Sequence, residues 1–413
     1  MSGSPPAATT PRRAAMLIGF MWLAYFLNYC DRQAVFAMFP SLKSGLGMTD
    51  RQLGLTGSAF LWVYALGCPL AGMLADRGSK RVLVVLSLVL WSLVTIATGL
   101  ATSAVMLLGL RAAMGLSESL FMPTAIALTA NAHPTSRRSR AIALLTTAQI
   151  AGTVAGSWFG GWMADRGQWR GAFFVLGAIG LLYALPYSGF LRAIREGAAP
   201  AVPSRSAWPD VGRVLGLATF WTLCLVFSVF VFGLWLIYGW LPALLHEKFS
   251  LNQSDAAFNA TLFLQTAAAA GLVTGGWLAD ALLRRTHAAR LWVMVASLLL
   301  SAPCLHALGA SETLIGVRCA AVGFGFFSGL LMGNIFPAAF EVVPADARSS
   351  TVGLLNLFGG LVSGVATLSG GLWKASLGIR GLMTFTAIAY ALAAAALALD
   401  IRLWFSKDQA GNR

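Results

Sequence analysis

Four charged residues sit where charge is costly. Asp31 and Arg32 lie inside the first apolar run of the chain, and Arg111 and Glu118 lie inside another. A charge at bilayer depth costs about 2.5–3.5 kcal/mol even on the lenient insertion scale, so four of them imply a polar pathway rather than a lipid face. Two kinds of chemistry suit such groups. A carboxylate at membrane depth can carry a proton, because burial and a nearby cation pull its proton affinity in opposite directions and a change of surroundings switches it. An arginine keeps its proton and offers a planar fork, which suits a fixed anion anchor. Asp31 and Glu118 are therefore candidate proton-coupling residues, and Arg32 and Arg111 candidate substrate anchors. The plainer alternative is mutual neutralisation that fastens one span to another.

Spacing constrains how the four can act. Arg111 and Glu118 are seven residues apart, about two helical turns, so they share a face with roughly 10 Å between their Cα atoms. That gap favours a ligand or a third residue between them over direct pairing. Asp31 and Arg32 are adjacent and point about 100° apart, so one can face a cavity while the other faces a neighbouring helix.

The elements that position these residues must be membrane helices. Of 413 residues, 58% are hydrophobic and only 11% charged, against about 25% charged in ordinary soluble domains. Apolar runs of roughly 20 residues, long enough to span the hydrocarbon core, recur near 14–40, 53–75, 82–101, 104–130, 141–164, 171–191, 214–243, 256–280, 291–309, 312–341, 349–374 and 379–404. The expected fold is all-α and integral to the membrane, with twelve transmembrane helices. The net charge of +14 is mostly a topology signal. With the N-terminus inside, Arg12, Arg13, Arg77, Lys80, Arg81, Arg137, Arg138, Arg140, Arg284, Arg285 and Arg290 all fall on internal loops or tails. This positive-inside bias places both termini in the cytoplasm, and nucleic acid is not an expected partner. The five cysteines all lie within expected spans and have no metal-ligand spacing, so neither a disulfide framework nor a zinc site is implied.

The chain also repeats itself. Gly72-Met73-Leu74-Ala75-Asp76-Arg77-Gly78-Ser79-Lys80-Arg81 follows the second span, and Gly276-Trp277-Leu278-Ala279-Asp280-Ala281-Leu282-Leu283-Arg284-Arg285 follows the eighth, 204 positions later. Leu108-Gly109-Leu110-Arg111 in the fourth span is echoed by Ile315-Gly316-Val317-Arg318 in the tenth, at an offset of 207. Two echoes in one order at nearly one offset indicate duplication of a six-helix unit with both copies in the same orientation. The expected organisation is a disordered tail over 1–13, a six-helix bundle over 14–191, a cytoplasmic linker over 192–213, a second bundle over 214–405 and a tail over 406–413.

On these features the chain resembles the major facilitator superfamily. Residues 72–81 resemble that superfamily's cytoplasmic loop motif, and the second copy departs from it where Ala281 replaces a basic residue. Gly72, Asp76, Arg77, Arg81 and Asp280 are the expected gating motif. Its small glycines would allow close helix approach, and its acids would cap or pair with a neighbouring helix end. Asn28-Tyr29-Cys30-Asp31-Arg32, together with Arg111 and Glu118, is similar to the pattern of the anion:cation symporters, which include sugar-acid transporters. Gly115-Leu116-Ser117-Glu118 is shared with spinster-like lipid transporters. The resemblance implies two pseudo-symmetric bundles with a cavity between them that opens alternately to each side. It implies proton-coupled uptake of a small organic anion, with a spinster-like lipid or amphipath exporter as the alternative and a non-transporting nutrient receptor as a reading of another class.

Within that frame Arg32 and Arg111 would hold a carboxylate, Asp31 and Glu118 would carry protons, and Tyr29 and Asn356 would orient the substrate. Tyr238 is a further candidate contact, and Gln265, Arg318 and Asn334 are possible ones. Each amide or phenol could equally bond a neighbouring helix. Gly152, Gly156 and Gly160 of the fifth span form a smooth stripe, for helix contact or for sliding between the halves. No phosphate-binding loop appears, nor any paired nucleophile and base. The expectation is a monomeric transporter of a bacterial cytoplasmic membrane, not an enzyme, with no cofactor or metal and with protons, an organic anion and the bilayer as its partners.

Overall fold

The structure is a computed structural model describing residues 11–132, 135–192, 208–344 and 347–410. Residues 1–10, most of the expected linker, His133 and residues 411–413 lie outside the described residues. Every regular element described is a helix, as a chain in lipid requires, because a helix satisfies its backbone polar groups internally.

Sixteen helices follow in order among the described residues. They are α1 (Pro11–Ala37), α2 (Phe39–Leu46), α3 (Asp50–Arg77), α4 (Lys80–Gly99), α5 (Ala104–Ser119), α6 (Phe121–Ala132), α7 (Thr135–Asp165) and α8 (Trp169–Arg192), then α9 (Trp208–Leu215), α10 (Ala218–Phe249), α11 (Gln253–Leu282), α12 (Ala289–Ala310), α13 (Leu314–Val342), α14 (Arg348–Trp373), α15 (Gly378–Leu403) and α16 (Phe405–Ala410). Among the described residues, eleven helical segments are long and apolar enough to cross a membrane, one of them, Ala104–Ile126, running from α5 into α6; twelve were expected. The expected fifth span falls on α7, a 31-residue helix that carries Thr146, Thr147, Gln149, Gly152, Thr153 and Gly156 and is correspondingly less apolar.

Two expected spans are broken, both by proline. The ring of Pro40 and its missing N–H disfavour a helix running through Phe36 to residue 40, and α1 stops at Ala37 before α2 begins. Pro123 acts in the same way on Ser119, so the expected fourth span divides into α5 and α6 at Leu120, just beyond Glu118.

Packing divides the chain into two compact units. The first holds residues 1–48 and 59–203. In it α1 packs on α7, and α4 packs on α5 and α8. The second holds residues 49–58 and 204–413, with α11 and α12 on α13 and α10 on α14. Residues 49–58, expected in the first bundle, group with the second unit for a steric reason. A Cβ on Gly54 would lie 2.7 Å from the Thr367 carbonyl oxygen, and one on Gly371 would lie 2.2 Å from that of Asp50. These glycines let the start of α3 lie directly on α14, where Ser58 Oγ donates to the Gly364 carbonyl at 2.6 Å.

Each unit by itself repeats the other's internal contacts. Ser103 caps α5 by accepting from the Met106 amide at 3.2 Å, and Thr313 caps α13 by accepting from the Gly316 amide at 3.1 Å. Ser87 of α4 donates to the Ser117 carbonyl of α5, and Ser297 of α12 donates to the Phe327 carbonyl of α13. The duplication seen in the sequence is thus also present in side-chain contacts.

Candidate functional site

The rotation of α1 is set by glycine. A Cβ on Gly152 would lie 2.5 Å from the Phe26 carbonyl oxygen, one on Gly156 would lie 2.4 Å from Cys30 Cα, and one on Gly160 would lie 2.6 Å from the Ala34 carbonyl oxygen. Only glycine permits this approach, so α1 presents Phe26, Cys30 and Ala34 to α7. The stripe is therefore a helix contact within the first unit. With Cys30 facing α7, Asp31 and Arg32 must point to other helices.

Arg32 turns toward α5 and α3. Its Nη2 and Nε donate to Glu118 Oε2 at 2.6 and 3.2 Å. Nη2 also reaches Asn28 Oδ1 at 3.3 Å, and Nη1 reaches the Tyr29 hydroxyl at 3.4 Å. Three rings surround the guanidinium, those of Tyr29, Phe60 and Tyr64, with centroids 4.6, 4.8 and 4.9 Å from Cζ. Such cation–π contacts strengthen when desolvated, to about 2 kcal/mol or more, and both Arg32 and Glu118 are buried. The third residue that the Arg111–Glu118 spacing leaves room for includes Arg32, which binds Glu118 from a different helix.

Asp31 turns the other way. Its Oδ2 accepts from Thr95 Oγ1 of α4 at 3.2 Å. Asp31 Oδ1 and Glu118 Oε1 are buried and have no hydrogen-bond partner among the described residues. A buried acceptor left in this state is costly.

Arg111 is fully buried on α5. It donates from Nη1 to Met114 Sδ at 3.0 Å, and its guanidinium lies 4.9 Å from the centroid of the same Phe60 ring that Arg32 contacts. The ring is brought there by Gly115, where a Cβ would lie 2.4 Å from the Phe60 carbonyl oxygen. The four charged residues thus belong to one constellation in the first unit, built from α1, α3, α4 and α5. Phe60, Tyr64 and Thr95 complete it and were not singled out in the sequence. The one available signal was the i, i+4 spacing of Phe60 and Tyr64 on the second span.

The second unit distributes its candidates more widely. Gln265 Nε2 donates to the Tyr238 hydroxyl at 2.9 Å, buried between α11 and α10. Arg318 Nε donates to Asn259 Oδ1 at 2.8 Å, and its Cζ lies 5.4 Å from the Phe263 centroid. That Arg–Phe pair stands at positions repeat-related to Arg111 and Phe60. Asn356 is exposed on α14. Asn334 donates to the Gly275 and Leu330 carbonyls at 3.0 and 2.9 Å, so both its amide hydrogens serve helix packing.

Of the expected gating motif, the side chains of Asp76 and Arg77 lie outside the described residues, and Arg81 lies at the start of α4. Asp280 pairs with Arg290 at 2.8 Å, and Arg290 also holds Glu341 at 2.9 Å, which ties together the ends of α11, α12 and α13. No described atom lies within 4 Å of a Cβ built on Gly72 or Gly276, whereas Cβ atoms on Gly115, Gly271, Gly325 and Gly329 would meet neighbouring backbone.

Residues 21–367 match the profile of the family described as Major Facilitator Superfamily. The chain is 32% identical over 296 residues to the probable sulfoacetate transporter SauU of Cupriavidus necator, covering 67% of each chain. It is 25% identical over 384 residues to the D-galactonate transporter of Escherichia coli O6:H1, covering 86% of this chain and 88% of the relative. A solved bacterial homologue of the human lysosomal transporter Spinster, in an inward-facing and occupied conformation, aligns with a TM-score of 0.82 at 23% identity, over 98% of this chain and 99% of that one.

Proposed function

This chain belongs to the major facilitator superfamily, and we propose that it is a secondary transporter that takes up a small organic anion together with protons by alternating access. It is a multi-pass integral membrane protein and not an enzyme. The anion reading is supported by relatives whose names specify sulfoacetate and D-galactonate. Twelve spans, cytoplasmic termini and a bacterial cytoplasmic membrane belong to the same proposal, supported by the positive-inside bias and by the bacterial relatives, and a monomeric state is proposed with them.

The observation that carries the coupling is the charge balance of the buried constellation. Asp31 and Glu118 against Arg32 and Arg111 sum to zero when all are ionised. Each added proton raises that net charge by one, and a bound monoanion lowers it by one. Proton and anion therefore favour each other's binding, and by linkage the effect is reciprocal. The two partnerless carboxylate oxygens, Asp31 Oδ1 and Glu118 Oε1, are the positions for the protons. A substrate carboxylate would draw on the planar forks of Arg32 and Arg111. Tyr29 sits against Arg32 and would orient the substrate. Tyr238 with Gln265, Arg318 and Asn356 are proposed to read its hydroxyl groups. Asp280, Arg81 and the remainder of their motif are proposed to act in gating.

A thermal-shift screen of the purified protein against monocarboxylates, sugars and lysolipids tests the reading, because a ligand selective for the folded state raises apparent stability. Stabilisation by carboxylates, stronger at lower pH, is expected. Stabilisation by lysolipids alone would replace it with the spinster-like lipid exporter that the shared fold also accommodates. Binding of an anion without any proton-dependent flux would identify a receptor.

A further inference from the structure

The structure points to a second ligand site, remote from the charged constellation, and we propose that it holds the headgroup of an anionic phospholipid. The site is a groove of about 480 Å³ between α4 and α8 in the first unit. Its polar lining includes Arg81 and Arg192, and its apolar wall includes Val82, Leu86 and Val89. None of the lining residues is acidic. Val82 and Leu86 are 62% and 43% exposed, and in a membrane that exposure faces acyl chains.

The shape of the groove follows from where the two helices touch. A Cβ on Gly177 would lie 2.7 Å from the Ser92 carbonyl oxygen, so α8 lies directly on α4 there. Gly180 continues that contact, since a Cβ there would lie 2.1 Å from Ser92 Oγ, but farther toward Arg192 a Cβ on Gly189 meets nothing within 4 Å, and the helices leave the groove. It opens where α4 begins and α8 ends. The first amides of α4 add partial positive charge to that of the two guanidiniums. Basic pockets between transmembrane helices are suited to anionic headgroups, and the planar fork of arginine matches a phosphate. The apolar wall continues from the arginines along α4, so a ligand must combine a phosphate with a hydrocarbon tail. A phosphodiester lipid such as phosphatidylglycerol meets both demands, whereas a soluble phosphate meets only one.

Native mass spectrometry of the full-length protein in mild detergent, titrated with phosphatidylglycerol or phosphatidylcholine, tests the site. Phosphatidylglycerol is expected to bind at least tenfold more tightly. Arg81→Gln and Arg192→Gln should each weaken it about fivefold, as expected for one surface charge near a lipid headgroup, and leave phosphatidylcholine unchanged. Leu86→Trp, which fills the apolar wall and keeps both charges, should also weaken it. Glycerol phosphate at millimolar concentration should fail to compete. Equal binding of the two lipids by the parent protein would overturn the proposal. So would a loss as large in Arg402→Gln, since Arg402 does not line the groove, or full competition by glycerol phosphate, which would make this a site for soluble phosphate.

Discussion

Arg32 is the residue on which the constellation turns. It contributes two donors to one oxygen of Glu118 and stands among three aromatic rings, so it is held in place whether or not Glu118 is charged. Arg111, fully buried on the same helix as Glu118, brings a second planar fork to the constellation and is proposed to receive a substrate carboxylate. Arg111→Lys keeps the charge and loses the fork. It should weaken substrate binding about tenfold, or about 1.4 kcal/mol, measured by isothermal titration. Binding equal to the parent would make an anchoring role that needs this geometry untenable. The residue types and their burial were legible in the sequence, because charge inside an apolar run has few other meanings. The pairing was not. Spacing along α5 left a gap to be filled, but that Arg32 fills it while Asp31 turns to Thr95 depends on the rotation of α1, which no local pattern of α1 reveals.

That rotation is decided at the level of the helix. The stripe Gly152, Gly156 and Gly160 on α7 meets Phe26, Cys30 and Ala34 on α1, both with a period of four. The glycines were visible in the sequence, but their partner was not, since small residues at that spacing fit any helix of the bundle. Gly72 and Gly276, by contrast, belong to the recurring loop motif, and a Cβ on either meets nothing within 4 Å. A paired substitution separates the two classes. Gly156→Ala would drive a methyl group into the backbone at Cys30, and overpacking of this kind costs about 1–3 kcal/mol. It should lower the melting temperature and, by moving α1, impair transport. Gly72→Ala meets open space and should leave the melting temperature unchanged. Equal melting temperatures for Gly156→Ala and the parent would show that the α1–α7 contact does not set the position of Arg32. The helix breaks at Met38 and Leu120 were only partly legible. Pro40 and Pro123 were in view, but hydrophobicity runs through them without interruption.

At the level of the whole molecule, the duplication read from two short echoes extends to paired caps, paired serine–carbonyl bonds and paired Arg–Phe contacts. The acids have not been kept in both copies. In the second unit Arg318 faces Asn259, an amide that holds no exchangeable charge, so proton handling is proposed for the first unit alone. If Asp31 and Glu118 both load a proton when a monoanion binds, each cycle carries one positive charge inward. An inside-negative potential then assists by about 2.3 kcal/mol per 100 mV. Asp31 has Thr95 rather than an arginine as its hydrogen-bond partner, which favours the two-proton cycle. A substrate-induced inward current on a solid-supported membrane is expected, and it should vanish in Asp31→Asn while substrate binding persists. Uptake of a monoanion by the parent with no current would leave a single proton. The most direct measurement of coupling itself compares the parent with Glu118→Gln in proteoliposomes, using a monoanionic sugar acid. An inward proton gradient should drive accumulation in the parent and none in the variant, while counterflow exchange survives in both. Accumulation by Glu118→Gln equal to that of the parent would contradict proton coupling through this residue.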